Sequence, residues 1–188
     1  TAGTVELIRR AKAAGPPVPA EVAPHHLVFD HHEVESMDPN FKMYPPLRTP
    51  DDVAELRRAL LDGTIDAVAT DHAPHADHEQ EVTFEEAPRG VIGLETAAAA
   101  TITATGIDQQ RFFEALSISP ARIARLEEHG RPVAPGSPAN LVVVDPTATW
   151  TPRRFHSRSQ NSPFLGRQLT GKVRAPLLRG RLTHQETA

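Results

Sequence analysis

The stretch Ile65-Asp66-Ala67-Val68-Ala69-Thr70-Asp71-His72-Ala73-Pro74-His75 constrains this chain more than any other. Its first half is apolar and its second half is Asp and His. The apolar half predicts a short buried strand, and Pro74, which cannot donate to a ladder, ends the pairing. In parallel α/β folds, and above all in (β/α)8 barrels, side chains at the C-terminal ends of strands carry the chemistry. An Asp followed by two His at such a point can serve as metal ligand, proton carrier and substrate clamp. The same residues at an ordinary strand end would be solvated.

Composition narrows the chemistry. The chain has no Cys, so it has neither a disulfide framework nor a thiolate metal site, and any metal must be held by His, Asp or Glu. Seven of the ten His fall between His25 and His78, around the key stretch. A net charge of -4 without a stripe of Lys and Arg points away from nucleic acid and from anionic membranes. No apolar run approaches the roughly 18–20 residues of a membrane span. No charged-then-apolar leader opens these residues, so the cytoplasm is the expected location. With 39% apolar residues, 188 residues suit one domain or part of a larger one.

In chain order, Thr1 to Ala14 predicts a helix with Val5, Ile8 and Ala11 on one face and Gly15 after its end. Val18 to Val22 predicts a short strand that runs into a polar loop, Pro24-His25-His26-Leu27. On an extended chain adjacent His point to opposite faces, so both cannot easily hold one metal. His31-His32 lies in an acidic stretch and reads as surface. Two prolines make Phe41 to Arg48 a rigid loop. Thr49-Pro50-Asp51-Asp52 starts a helix with a cap, a Pro and acids in the first turn; Val53, Leu56 and Leu60 form its buried stripe. Strand, helix and strand then make a βαβ unit with a parallel sheet. Leu94 to Thr105 predicts an apolar helix closed by Gly106, Gln109 to Leu116 a second, and Ser119-Pro120 the start of a third. From Gly130, Pro and Gly punctuate short segments, with Leu141-Val142-Val143-Val144 a clear β run, so residues 131–188 read as a β-rich appendage to residues 1–130.

Four motifs together resemble a known family. Pro24-His25-His26-Leu27, Lys42-Met43-Tyr44-Pro45-Pro46-Leu47-Arg48, Thr70-Asp71-His72-Ala73-Pro74-His75 and Ala87-Pro88-Arg89-Gly90-Val91-Ile92-Gly93-Leu94-Glu95-Thr96 occur in the order and spacing of bacterial type I dihydroorotases, of the amidohydrolase superfamily. Asn161-Ser162-Pro163-Phe164 is similar to that family's C-terminal segment. The resemblance implies the C-terminal portion of a metal-dependent-hydrolase (β/α)8 TIM barrel, about strands 7 and 8 with their helices, plus a small β-rich C-terminal subdomain. It implies the zinc-dependent, reversible cyclisation of N-carbamoyl-L-aspartate to L-dihydroorotate in de novo pyrimidine biosynthesis, with one or two Zn2+ ions. Carried over, Asp71 is the catalytic proton shuttle and a metal ligand, His75 binds substrate, and Arg89 and Gly90 contribute backbone contacts to it.

Two departures stand out. Tyr44 occupies the place of an Asn that hydrogen-bonds the substrate ring, and a phenol cannot copy both bonds of a carboxamide. Arg89 replaces a commonly apolar residue. The family's other ligands, a His-x-His, a bridging carboxylate and two further His, belong to earlier strands and are expected upstream of Thr1, since a full barrel needs about 250 residues. The chain is therefore expected to be a fragment, inactive by itself. Its implied partners are the small-molecule substrate and either a second copy, as a homodimer, or aspartate transcarbamoylase. Two alternatives stay open: another cyclic-amide hydrolase of the allantoinase or hydantoinase kind, and a non-catalytic dihydroorotase-like scaffold for aspartate transcarbamoylase.

Overall fold

The structure, a computed structural model, describes residues 1–184. Helix α1 (Ala2–Ala13) begins where the Thr1 hydroxyl accepts the Thr4 N–H. It is followed by strand β1 (Glu21–Val22) and helix α2 (Pro24–Val28). Two 3-10 turns lead to α3 (Pro50–Leu61), with the Thr49 hydroxyl accepting from Asp52 N as the cap. Strand β2 (Ala67–Val68) then lies parallel to β1, pairing Glu21 with Ala67 and Val22 with Val68. The crossover through α3 is the βαβ unit expected from the sequence. Beyond it come α4 (Asp77–Gln80), α5 (Ala97–Thr105), α6 (Gln109–Phe113) and α7 (Ser119–Ile123). Strands β3 (Leu141–Trp150), β4 (Leu169–Leu178) and β5 (Arg181–Leu182) form an antiparallel sheet in the order β3-β4-β5.

Two apolar clusters hold these elements. The first joins Val5, Val22, Leu27, Leu60 and Ile65 to Ile107, Phe112 and Ala115. Fully burying side chains such as Leu27 and Leu60 contributes about 1.5–3 kcal/mol each. The second joins Phe29, Phe41, Met43 and Leu47 to Val91, Ala99, Ala100, Phe164 and Leu169. In the loop 41–48, Phe41, Met43 and Leu47 are buried while Tyr44, Pro45 and Pro46 are exposed, so the loop is pinned from below with its tip outward. Gly171 on β4 lets α5 come close: a Cβ there would lie 2.4 Å from Ile102 Cδ1.

Three local expectations are corrected. Only Glu21–Val22 of the strand expected from Val18 is paired, because Pro19 offers no donor. Pro24 to Leu27 is helical rather than a loop, with Pro24 in the first turn where a missing N–H costs nothing. Ser119-Pro120 opens α7 as expected, but Ser119 lies inside the helix and does not cap it. A π turn (Glu114–Ile118) joins α6 to α7, and Ser119 is buried with helical dihedrals. Pro120 withdraws a donor from the helical ladder there, next to the register change.

Arg111 ties this framework. Its Nε donates to Leu60 O at 2.7 Å and its Nη2 donates to Ile65 O, joining α6 to the end of α3 and the approach to β2. Arg111→Met leaves both carbonyls without that donor. We expect a loss of about 2–4 kcal/mol, taking 1.5–3 kcal/mol for each bond to a charged group with partial recovery by water. The midpoint of urea unfolding checks this.

Candidate active site at the end of the parallel strand pair

A cleft of about 540 Å³ opens at the C-terminal ends of β1 and β2, lined by Ala23, His26, Tyr44, Arg48, Ala69 and Asp71 among others. The last rung of the strand pair is the Ala69 N–H donating to Val22 O at 3.1 Å. Two residues on, Asp71 takes a left-handed backbone with φ +49°. That conformation costs an L-residue about 1–2 kcal/mol, although Asp is among the residues that tolerate it. The turn brings the exposed Asp71 carboxylate to the cleft, where it accepts no hydrogen bond and makes no ion pair among the described residues.

The two His that follow are committed differently. His72 Nδ1 lies 3.1 Å from Gly93 N and 3.4 Å from Leu94 N. Backbone N–H groups only donate, so Nδ1 is the unprotonated acceptor and His72 serves the loop. His75 Nε2 lies 2.9 Å from Arg89 O and must donate to it, which leaves Nδ1 for a ligand. Of the Arg89-Gly90 dipeptide, Gly90 N–H donates to Lys42 O at 2.8 Å. The carbonyls of Arg89 and Gly90 accept from His75 and Asn161. The amide N–H of Arg89 is what this backbone has left to offer a substrate. Gly90 has φ +100°, and a Cβ there would stand 2.7 Å from Ala73 Cβ, so no side chain fits.

The adjacent His25 and His26 lie on a helix with ring centroids 4.3 Å apart, yet their surroundings differ. His25 points into the interior, 2% exposed, and its Nε2 has no hydrogen-bond partner among the described residues. Burial pushes its pKa down to about 3, with a smaller effect from His26. His26 faces the cleft, and its Nε2 donates to Pro45 O at 3.0 Å. Burial lowers its pKa, while the bond to Pro45 and the nearby Asp71 carboxylate work the other way. Asp30, His31 and His32 place ligand atoms within 4.8 Å of one another, but they line no part of this cleft. There His32 Nδ1 lies 2.7 Å from Asp30 Oδ1 and His31 Nδ1 3.3 Å from Arg48 O.

Asn161 carries a role that reading the sequence did not assign. Its Nδ2 donates to Ala73 O at 2.9 Å and to Gly90 O at 3.2 Å, and its Oδ1 accepts from His75 N at 3.3 Å. Its own carbonyl accepts from Ile92 N at 3.0 Å. One buried carboxamide thus clamps the loop after Asp71 to the loop of Arg89-Gly90. The Asn-Ser-Pro-Phe block was the only signal for it, since the partners lie some 70 to 90 positions away. Lys42 is the second clamp, with Nζ donating to Glu85 O at 2.8 Å and Ala87 O at 2.7 Å.

A free carboxylate at the end of a parallel strand, under clamped loops, is an arrangement that can hold a metal ion or carry a proton. The amidohydrolase family pattern matches residues 8–183. The chain belongs to the amidohydrolase family. This amidohydrolase chain is 48% identical over 189 residues to the dihydroorotase of Mycobacterium leprae, covering 97% of the chain and 44% of that relative. It is 47% identical to the dihydroorotase of Streptomyces coelicolor, with the same coverage. Among solved structures, the L-hydantoinase (dihydropyrimidinase) from Arthrobacter aurescens superposes with a TM-score of 0.89 at 26% identity, over 100% of this chain and 44% of that one. The amidohydrolase chain thus spans 44% of the length of these curated relatives.

Two outcomes are expected. Asn161→Ala, by removing three hydrogen bonds, one buried and two partly buried, destabilises the protein by about 2–4 kcal/mol and makes the segment 72–76 exchange amide hydrogens faster; hydrogen exchange reads both. The second concerns acid. His25 has a folded pKa of about 3 against an ordinary 6.5. Below pH 6.5 the unfolded chain takes up a proton that the folded chain refuses, so stability falls as pH drops through that window, with a slope of up to one proton. His25→Phe should flatten that part of the stability–pH curve measured by denaturant titration.

Proposed function

We propose that this chain is part of a dihydroorotase, which closes N-carbamoyl-L-aspartate to L-dihydroorotate and reopens it, in pyrimidine biosynthesis. The observation that carries the reading is the free Asp71 carboxylate at the end of β2, inside a chain 47–48% identical to dihydroorotases over nearly its whole length. The hydantoinase structures, at 26–28% identity, support the alternative ring-opening chemistry less well. We place residues 1–130 in the barrel, about its strands 7 and 8, and 131–188 in a β-rich C-terminal segment; residues 185–188 lie outside the described ones. The proposed location is the cytoplasm; among the described residues no helix is long and apolar enough to cross a membrane. A homodimer or a complex with aspartate transcarbamoylase is the proposed assembly.

The donor set in the cleft fits a zinc ion in part. Asp71 offers an uncommitted carboxylate, a suitable hard ligand, whereas His26 Nε2 is occupied by Pro45 O. A catalytic zinc takes three protein ligands, so the others come from outside these residues. One or two zinc ions, when bound, lower the pKa of a water and polarise the ring carbonyl. This chain's residues do the rest. Asp71 takes the proton from the attacking water and passes it to the leaving ring nitrogen, which a carboxylate can do and a carboxamide cannot. His75, held by Arg89 O and Asn161, presents Nδ1 to the substrate. Arg48 adds positive charge to the cleft.

In the full-length protein, Asp71→Asn should lower kcat for dihydroorotate hydrolysis about 10²–10⁴-fold at every pH, and chelation should abolish wild-type turnover until zinc is restored. Retained activity in Asp71→Asn would remove Asp71 from the chemistry. A metal-free protein that still binds aspartate transcarbamoylase but hydrolyses nothing would favour the scaffold reading instead.

A further inference from the structure

Tyr44 and Arg89 are the two positions at which the sequence departs from the dihydroorotase pattern, and the fold brings them together. The Arg89 guanidinium carbon lies 5.0 Å from the centroid of the Tyr44 ring, over its face. The residues belong to separate loops, each fixed from behind. Lys42 O receives the Gly90 N–H at 2.8 Å, and His75 Nε2 holds Arg89 O at 2.9 Å. Tyr44 is 70% exposed and lines the same cleft as Asp71, so its ring is not there to fill a core. Arg89 has no carboxylate within ion-pair distance among the described residues, unlike Arg9 or Arg167.

A guanidinium stacked on an aromatic face is oriented, yet its N–H groups lie in its own plane and stay available. Two of them match the two oxygens of a carboxylate. A cation left without a counter-ion, stacked on a ring that lines a cleft, also draws anions toward it. Resting on the dihydroorotase reading, we propose that Tyr44 and Arg89 form one specificity unit that selects a carboxylate-bearing ring. The Tyr44 ring orients the Arg89 guanidinium, and the guanidinium binds the substrate carboxylate. A neutral cyclic amide such as dihydrouracil, the same ring without the carboxylate, gains nothing from the pair. The pair also acts as a unit, so replacing Tyr44 by the family's Asn strands Arg89 rather than restoring a standard site.

The experiment uses the full-length zinc enzyme. It compares kcat and KM for dihydroorotate with the inhibition constant of dihydrouracil in wild type, Arg89→Met, Tyr44→Leu, Tyr44→Phe and the Tyr44→Leu/Arg89→Met double variant. Arg89→Met should raise KM for dihydroorotate about 10- to 100-fold, the range for one charged hydrogen-bonded contact, with dihydrouracil binding shifted less than about threefold. Tyr44→Leu should follow it, Tyr44→Phe should lose less than Tyr44→Leu because the ring remains, and the double variant should be no worse than the weaker single. Equal losses for both ligands, no loss in Arg89→Met, or additive losses in the double variant would overturn the unit while leaving the dihydroorotase reading intact. Wild-type turnover of neutral rings but not of dihydroorotate would overturn both.

Discussion

The pairing of β1 with β2 is the constraint on which the site depends. Glu21 faces Ala67 and Val22 faces Val68, and a slip of one residue would turn Val22 out of the core and every side chain of the strand to its other face. Two rungs form so short a strand pair, so other contacts must hold the register. Asp66 Oδ2 accepts from Ala20 N at 2.8 Å and pairs with Lys12 Nζ at 2.6 Å, which locks the N-terminal end of β2 to β1 and to α1. With the register fixed, the chain leaves the sheet at Ala69, and the left-handed turn at Asp71 delivers the carboxylate to the cleft.

Around that carboxylate, most polar groups already have a task. Lys42, Asn161 and His72 spend their side chains on the backbones of neighbouring loops, and Glu95 accepts the N–H groups of His156 and Ser157 at 2.9 and 3.0 Å. Such clamps cost no catalytic group and hold the loops without a helix or sheet of their own. Among the described residues, the uncommitted side chains in or over the cleft include Glu21, Asp71, Arg48, Tyr44 and the Arg89 guanidinium, and His75 Nδ1 is free as well.

Much of this was legible from local signals. Thr49-Pro50 marked a helix start because cap and proline act within one turn, and the apolar run before Asp71 marked a buried strand end. The helix at Pro24 was missed because two polar His obscured a first-turn proline, and with it the burial of His25. The link through the π turn to Ser119 was missed since Ser-Pro imitates a cap. The Tyr44–Arg89 contact and the Asn161 clamp were out of reach for a different reason. Both are products of tertiary packing between distant segments, and no periodicity in the chain records them.

The central claim is that Asp71 is the centre of a metal-dependent hydrolase site. Anomalous diffraction from zinc-loaded crystals of the full-length protein tests it most directly. The account predicts an ion about 2.0–2.2 Å from an Asp71 carboxylate oxygen, in the cleft at the end of β2. Zinc bound only at Asp30, His31 and His32, with Asp71 outside every coordination shell, would contradict it.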